Sequence, residues 1–139
     1  MTESRLLAKY ASSASNNRTI IVIDDEHAFC DVVCEILDAL GYNTRQAYNA
    51  HQAITLLQEI TPDLILTDVM MPELDGLTFI RQLRSEPKWS EIPIIIVSAK
   101  ATKADRDAAE DAGADGYLIK PFSSLELEEL ITSTLSTHA

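Results

Sequence analysis

The chain has 139 residues, enough for one domain, and its 46% hydrophobic and 24% charged residues are ordinary for a globular protein. Its 22 acidic against 11 basic residues leave a formal charge of −11, which argues against direct binding to nucleic acid or to an anionic membrane, since both need Lys/Arg-rich surfaces. No apolar run approaches the roughly 20 residues that cross a bilayer.

Residues Met1 to Asn17 stand apart. Leu6, Leu7 and Tyr10 suit one or two helical turns, and Ser12-Ser13-Ala14-Ser15-Asn16-Asn17 reads as a flexible polar linker. This appendage has no apolar core followed by a small-residue cleavage site, so no signal peptide is expected. Thr19-Ile20-Ile21-Val22-Ile23 is a continuous β-branched run, the pattern of a strand buried on both faces. Phe29, Val32, Val33, Ile36, Leu37 and Leu40 then recur at helical spacing, and Gly41 stands where a left-handed cap is wanted.

Tyr42 to Tyr48 is a shorter, more polar strand expected near an edge. Asn49 and Gln52 offer a capping box for a helix carrying Ala53, Ile54, Leu57 and Ile60, which Pro62 stops. Asp63 to Thr67 reads as the third strand and Asp75 to Arg84 as the third helix, with Phe79, Ile80 and Leu83 inward. Ile92 to Val97 reads as the fourth strand, with Pro93 confined to its start because it lacks an N–H. Thr102 to Ala112 has an apolar face made only of Ala104, Ala108, Ala109 and Ala112, so it buries little and is loosely held. Gly113 ends it, Tyr117-Leu118-Ile119 is the fifth strand, and Ser123 with Glu126 caps a last helix offering Leu127, Leu130, Ile131 and Leu135.

Five strands in strict alternation with five helices imply an α/β fold, a doubly wound parallel sheet with right-handed crossovers. In such sheets ligands bind beyond the carboxyl ends of the strands. Strand one ends in Asp24-Asp25, followed by Glu26; strand three ends in Asp68, strand four in Ser98 and strand five in Lys120. Strand two ends blandly in Gln46-Ala47-Tyr48. A single Asp after a strand is commonly a cap or a turn former. Several acids converging on one crevice repel one another, so either protons neutralise them or a cation holds them. Hard oxygen donors without His or Cys suit Mg²⁺ or Mn²⁺ rather than Zn²⁺. A carboxylate nucleophile, a metal, the Lys120 cation and the Ser98 hydroxyl together suit phosphoryl transfer.

The residues Ile21-Val22-Ile23-Asp24-Asp25-Glu26, Leu64 through Gly76, Pro93-Ile94-Ile95-Ile96-Val97-Ser98-Ala99 and Gly113 through Phe122 resemble the receiver domain of two-component response regulators. The likeness runs over residues 18–137, in order and at family-like spacing. It implies a flavodoxin-like (βα)5 sheet with strand order 2-1-3-4-5. It implies that Asp68 is the phosphoacceptor for a histidine kinase or phosphotransfer protein. Asp25, Asp68 and the Met70 carbonyl would hold Mg²⁺, with Asp24 acting through water. Lys120 would contact the acceptor and then the phosphoryl group. Ser98 and Tyr117 would be the switch pair, and Lys120–Pro121 is often cis in the family. Such a chain is a cytoplasmic signalling domain rather than an enzyme, limited to its own phosphorylation and dephosphorylation. It passes its signal to a downstream protein or output domain, or to a second copy through helix 4, strand 5 and helix 5. Met70 and Lys100 lie where family members vary the side chains that govern water access to the phosphorylated Asp.

Other readings fit less well. An aspartyl-phosphate phosphatase wants Asp-x-Asp after strand one, whereas here the acids are adjacent, with His27 nearby. A dinucleotide or flavin binder wants a Gly-rich turn there, and the first glycine is Gly41. A pseudo-receiver acting by contacts alone does not need the full set Asp24, Asp25, Asp68, Ser98 and Lys120. Cys30 and Cys34, four residues apart, read as small buried hydrophobes in a reducing compartment. His27, His51 and His138 have no metal spacing. Met70-Met71 reads as loop filling, and the acids Asp105, Asp107, Glu110, Asp111 and Glu126 to Glu129 as solvated faces.

Overall fold

Residues 18–71 and 74–137 are described by the structure, a computed structural model. The expected appendage Met1 to Asn17, the turn residues Pro72 and Glu73, and His138 lie outside the described residues. Elements alternate as expected: β1 Thr19–Ile23, α1 His27–Ala39, β2 Asn43–Ala47, α2 Ala50–Glu59, β3 Leu64–Thr67, α3 Gly76–Ser85, β4 Ile94–Ser98, α4 Lys103–Ala112, β5 Gly116–Ile119 and α5 Ser124–Thr137. The five strands are parallel in the order β2-β1-β3-β4-β5.

The period-two geometry of a strand explains why the apolar runs are unbroken. In β1, Ile21 and Ile23 face one core with Ile65, Phe79, Ile80 and Leu83, under α2, α3 and α4. Ile20 and Val22 face the other core with Leu37, Leu66, Val97 and Leu127, under α1 and α5. A strand between two helical layers needs a hydrophobe at every position. The edge strand β2 does not, and its pattern is mostly exposed or half-buried until Ala47.

Several local details differ from the sequence reading. Pro93 precedes β4 instead of opening it, where its carbonyl accepts the Ile65 N–H at 2.9 Å. The Asn49 side chain caps α2 by accepting from the Gln52 N–H, but the Gln52 side chain reaches back to the Tyr48 N–H rather than closing a box on Asn49. Ser123 and Glu126 do form a reciprocal box at α5. So do Thr102 and Asp105 at α4, and there the Thr102 hydrogen bonds hold the Asp105 carboxyl below its ordinary range. The alanine stripe of α4 is buried only at Ala109 and Ala112, while Ala104 is exposed. The helix is therefore seated by its C-terminal half. Gly113, at φ +114°, closes it in a conformation that side chains rarely adopt.

An arginine that the periodicity does not single out ties this end of the molecule together. Arg84, on α3, donates to the carbonyls of Gly113, Ser90 and Ile92 at 2.9, 3.1 and 2.8 Å. It also pairs with Asp115 at 2.9 Å, and the same Asp115 oxygen accepts the Ile94 N–H. The planar five-donor fork suits this divergent set of acceptors, as a lysine would not.

Candidate functional site

Sheet order reverses at β1, so the chain leaves β1 and β3 toward opposite faces and opens a crevice at their carboxyl ends. Ladder-like backbone bonds carry the crucial residues one step past the strands. The Asp24 N–H bonds the Ala47 carbonyl, the Asp68 N–H bonds Ile23, and the Lys120 N–H bonds Ser98. Three side chains are thereby aimed from β1, β3 and β5 at one point.

The Lys120 ammonium sits at that point, 2.9 Å from Asp24 Oδ2 and 3.1 Å from Asp68 Oδ2. The crowded acids are thus held by a cation belonging to the chain. Burial pulls the lysine pKa down, but the Asp24 hydrogen bond and the charges of Asp68 and Asp24 outweigh it and leave the pKa raised. The remaining carboxylate oxygens are also occupied: Asp24 Oδ1 accepts the Glu26 N–H at 2.9 Å, and Asp68 Oδ1 accepts the Met70 N–H at 3.0 Å. Asp24 is buried and Asp68 half-buried, whereas Asp25 beside them is exposed.

Ser98 is buried at the end of β4, and its hydroxyl accepts the Lys100 N–H at 3.1 Å. Tyr117, in β5, donates its hydroxyl to the Lys100 carbonyl at 2.9 Å. Two faces of one peptide segment therefore connect the serine to the tyrosine. Burial raises the Tyr117 pKa against an opposing Ser98 hydrogen bond. The Lys120–Pro121 peptide is cis. Met71 packs against the core and takes a weak contact from the Thr67 hydroxyl, while Met70 is 60% exposed, so loop filling describes Met71 alone.

Three contacts here were not foreseen from the sequence. The Phe29 ring lies under the Lys120 ammonium, 4.0 Å from Nζ to centroid, and meets Phe122 edge-on at 6.0 Å. Cys30 donates its thiol to the Asp24 carbonyl at 3.4 Å, and burial, with the Asp24 charge next, pushes that thiol up to about 12. His27 stacks on Tyr48 with centroids 3.6 Å apart, so the bland end of β2 supplies a ring for this histidine. The sequence signal for the first two was slight, an aromatic and a sulfur residue five and six positions after Asp24.

The donor chemistry fits a hard divalent cation. The crevice offers carboxylate and carbonyl oxygen, and among the described residues no three His, Cys, Asp or Glu side chains form a closed cage. Mg²⁺ needs no such cage, because it characteristically takes one or two carboxylates and keeps water.

The profile of the response regulator receiver domain family matches residues 20–132. The chain belongs to that family. The receiver is 41% identical over 120 residues to a probable transcriptional regulator, ycf27, of Cyanophora paradoxa. The match takes in 86% of this chain and 49% of that relative, so the receiver spans about half the relative's length. The Francisella response regulator 1452 receiver domain is 28% identical with a TM-score of 0.81, covering 88% of this chain and 100% of the other. The receiver domain of a sensor histidine kinase from Pseudomonas aeruginosa, with a magnesium ion coordinated in its active site cleft, is 29% identical with a TM-score of 0.79, covering 86% and 98%. The receiver is accordingly a signalling domain of two-component systems, with the doubly wound parallel sheet that its alternating pattern implied and the flavodoxin-like strand order that the resemblance implied. No helix among the described residues is long and apolar enough to cross a membrane.

Proposed function

We propose that Asp68 is the phosphoacceptor of this receiver and takes a phosphoryl group from the phosphohistidine of a sensor histidine kinase or phosphotransfer protein. The observation that carries this reading is the Lys120 ammonium shared between Asp24 and Asp68, which ties a nucleophilic carboxylate to a cation and a second acid. In the transfer an Asp68 oxygen forms the new P–O bond as the P–N bond to the donor imidazole breaks, and the imidazole leaves with the bonding pair and is neutralised by a proton. The protein's part is positioning and charge neutralisation, which dominate phosphoryl transfer. Lys120 turns from the Asp68 carboxylate to a phosphoryl oxygen. Asp25, Asp68 and the Met70 carbonyl would hold Mg²⁺ (or Mn²⁺), with Asp24 acting through water; bound there, the ion neutralises phosphoryl charge. The magnesium named for the Pseudomonas receiver supports that assignment.

Phosphorylation adds about −1.5 to −2 charge and three strong acceptors at Asp68. The Ser98 hydroxyl donates to a phosphoryl oxygen and is drawn away from the Lys100 N–H that it accepts at rest, which disturbs the segment that also holds Tyr117. The N-terminal half of α4, which buries nothing of note, repacks most readily. The result is a population shift on the face of α4, β5 and α5. That face meets a downstream protein, an output domain or a second copy of the chain, in the cytoplasm.

Acetyl phosphate with Mg²⁺ tests the reading. Intact mass of an acid-quenched sample should gain one phosphoryl group, and Asp68→Asn or removal of the metal should abolish the gain. A folded wild-type protein that gains nothing would make this a pseudo-receiver acting by contact alone. Turnover of many phosphate esters would make it a phosphatase.

A further inference from the structure

We propose that Phe29 is a positioning residue for Lys120, its aromatic face holding the ammonium between the two carboxylates by a cation–π contact. The inference rests on the reading of Asp68 as phosphoacceptor for its kinetic consequence, though not for the contact itself. Lys120 Nζ lies 4.0 Å from the Phe29 centroid, well inside the roughly 6 Å over which ring and cation attract. Phe29 stands in the first turn of α1, and its ring also makes a perpendicular contact with the Phe122 ring. The contact is partly sheltered: the Lys120 side chain is 21% exposed, and those of Asp24 and Asp68 are 3% and 12% exposed. Val33, Leu66, Val97 and Leu127 line a void of about 10 Å³ beside Asp24 and Asp68, at the limit for a single water. A desolvated cation–π contact is worth more than an exposed one.

The ring has a role that a third carboxylate could not fill. An ammonium has three N–H donors, and the two acids take two of them. When a phosphoryl group arrives, the Lys120 ammonium passes from the Asp68 carboxylate to a phosphoryl oxygen, and it needs a partner that does not change during that exchange. A neutral quadrupole attracts the ammonium throughout and competes for no proton, metal or phosphoryl oxygen. Leucine or methionine fills similar space and supplies no such attraction.

The test compares Phe29→Leu with Phe29→Tyr in the full chain. NMR should show ring-current shifts on the Lys120 side-chain methylene protons in wild type and Phe29→Tyr, and their loss in Phe29→Leu. Phosphorylation by acetyl phosphate with Mg²⁺ should slow about three- to tenfold in Phe29→Leu and stay within about twofold of wild type in Phe29→Tyr. Should leucine fail to fold, Phe29→Met repeats the comparison. The proposal is overturned if the ringless variant keeps the Lys120 shifts, keeps the wild-type rate, or is matched in slowness by Phe29→Tyr. If no protein, wild type included, forms an adduct, the Asp68 reading fails, and the ring-current comparison alone decides whether Phe29 holds the lysine.

Discussion

Gly76 opens α3, and its N–H donates to the Val69 carbonyl at 2.9 Å. A Cβ placed there would meet the Asp68 carbonyl oxygen at 2.5 Å and Val69 Cα at 2.6 Å. Both atoms are backbone, so no rotamer change relieves the clash, and the peptide that carries Asp68 must yield by roughly 0.9 Å to reach ordinary contact. Overpacking of this kind costs about 1–3 kcal/mol, which for a domain of this size lowers Tm by roughly 4–12 °C. The larger effect is on geometry. Displacing Asp68 by nearly an ångström from Lys120 and the metal ligands should slow phosphorylation by about ten- to a hundredfold, the scale associated with misplacing a reacting group that far. The measurement is Gly76→Ala against wild type, with Tm from circular dichroism and adduct formation from intact mass well below the melting transition. A folded variant phosphorylated at the wild-type rate, with Tm unchanged within about 2 °C, would refute the argument that this close approach fixes the acceptor.

Other expectations concern parts of the molecule away from that turn. Arg84→Met removes the guanidinium donor from the carbonyls of Gly113, Ser90 and Ile92 and from the Asp115 carboxylate, which stays bonded to the Ile94 N–H. Urea unfolding should show a loss of about 2–3 kcal/mol, only partly recovered by Arg84→Lys; full recovery would mean the fork geometry is irrelevant. Gly113→Ala, at φ +114° and with its Cβ 2.7 Å from Arg84 Cγ, should cost about 1–2 kcal/mol by the same assay. Alkaline pH should weaken the fold. Lys120 and Cys30 both have folded pKa values above their ordinary ones, so each stabilises the fold while protonated. That contribution is complete below the ordinary thiol value of 9.0 and fades as pH climbs toward about 12. The urea midpoint should fall across that window, less so in Cys30→Ala, and a flat profile would contradict the assignment. Replacing exposed Met70 or Lys100 should change the lifetime of phosphorylated Asp68 several-fold without preventing phosphorylation; unchanged lifetimes in both would remove them from control of water access.

The linear order of residues already held most of the fold. Runs such as Ile20 to Ile23 and Ile94 to Val97 are apolar at every position, and only a strand sandwiched between helical layers wants that. The acids and the lysine were legible for the complementary reason: Asp24, Asp68 and Lys120 interrupt apolar runs at their carboxyl ends, where a polar group is costly unless it serves a site. Boundaries were less legible. Pro93 and Asp63 sit just outside the strands they were expected to open, because ladder pairing and not hydropathy decides where a strand begins.

What the sequence determined by itself, then, was local: period-two and helical patterning, caps at Asn49 and Ser123, and chemistry at strand ends, all readable within a few neighbours. What tertiary structure alone decided was which groups share a partner. Nothing within a helical turn of Arg84 announces a carbonyl 29 residues away, nor does Phe29 announce an ammonium from the far end of the chain. A side chain's partners depend on how twisted strands and packed helices bring distant segments within a few ångströms. That distance is set by the sheet order and helix packing as a whole, and no short window of residues contains it.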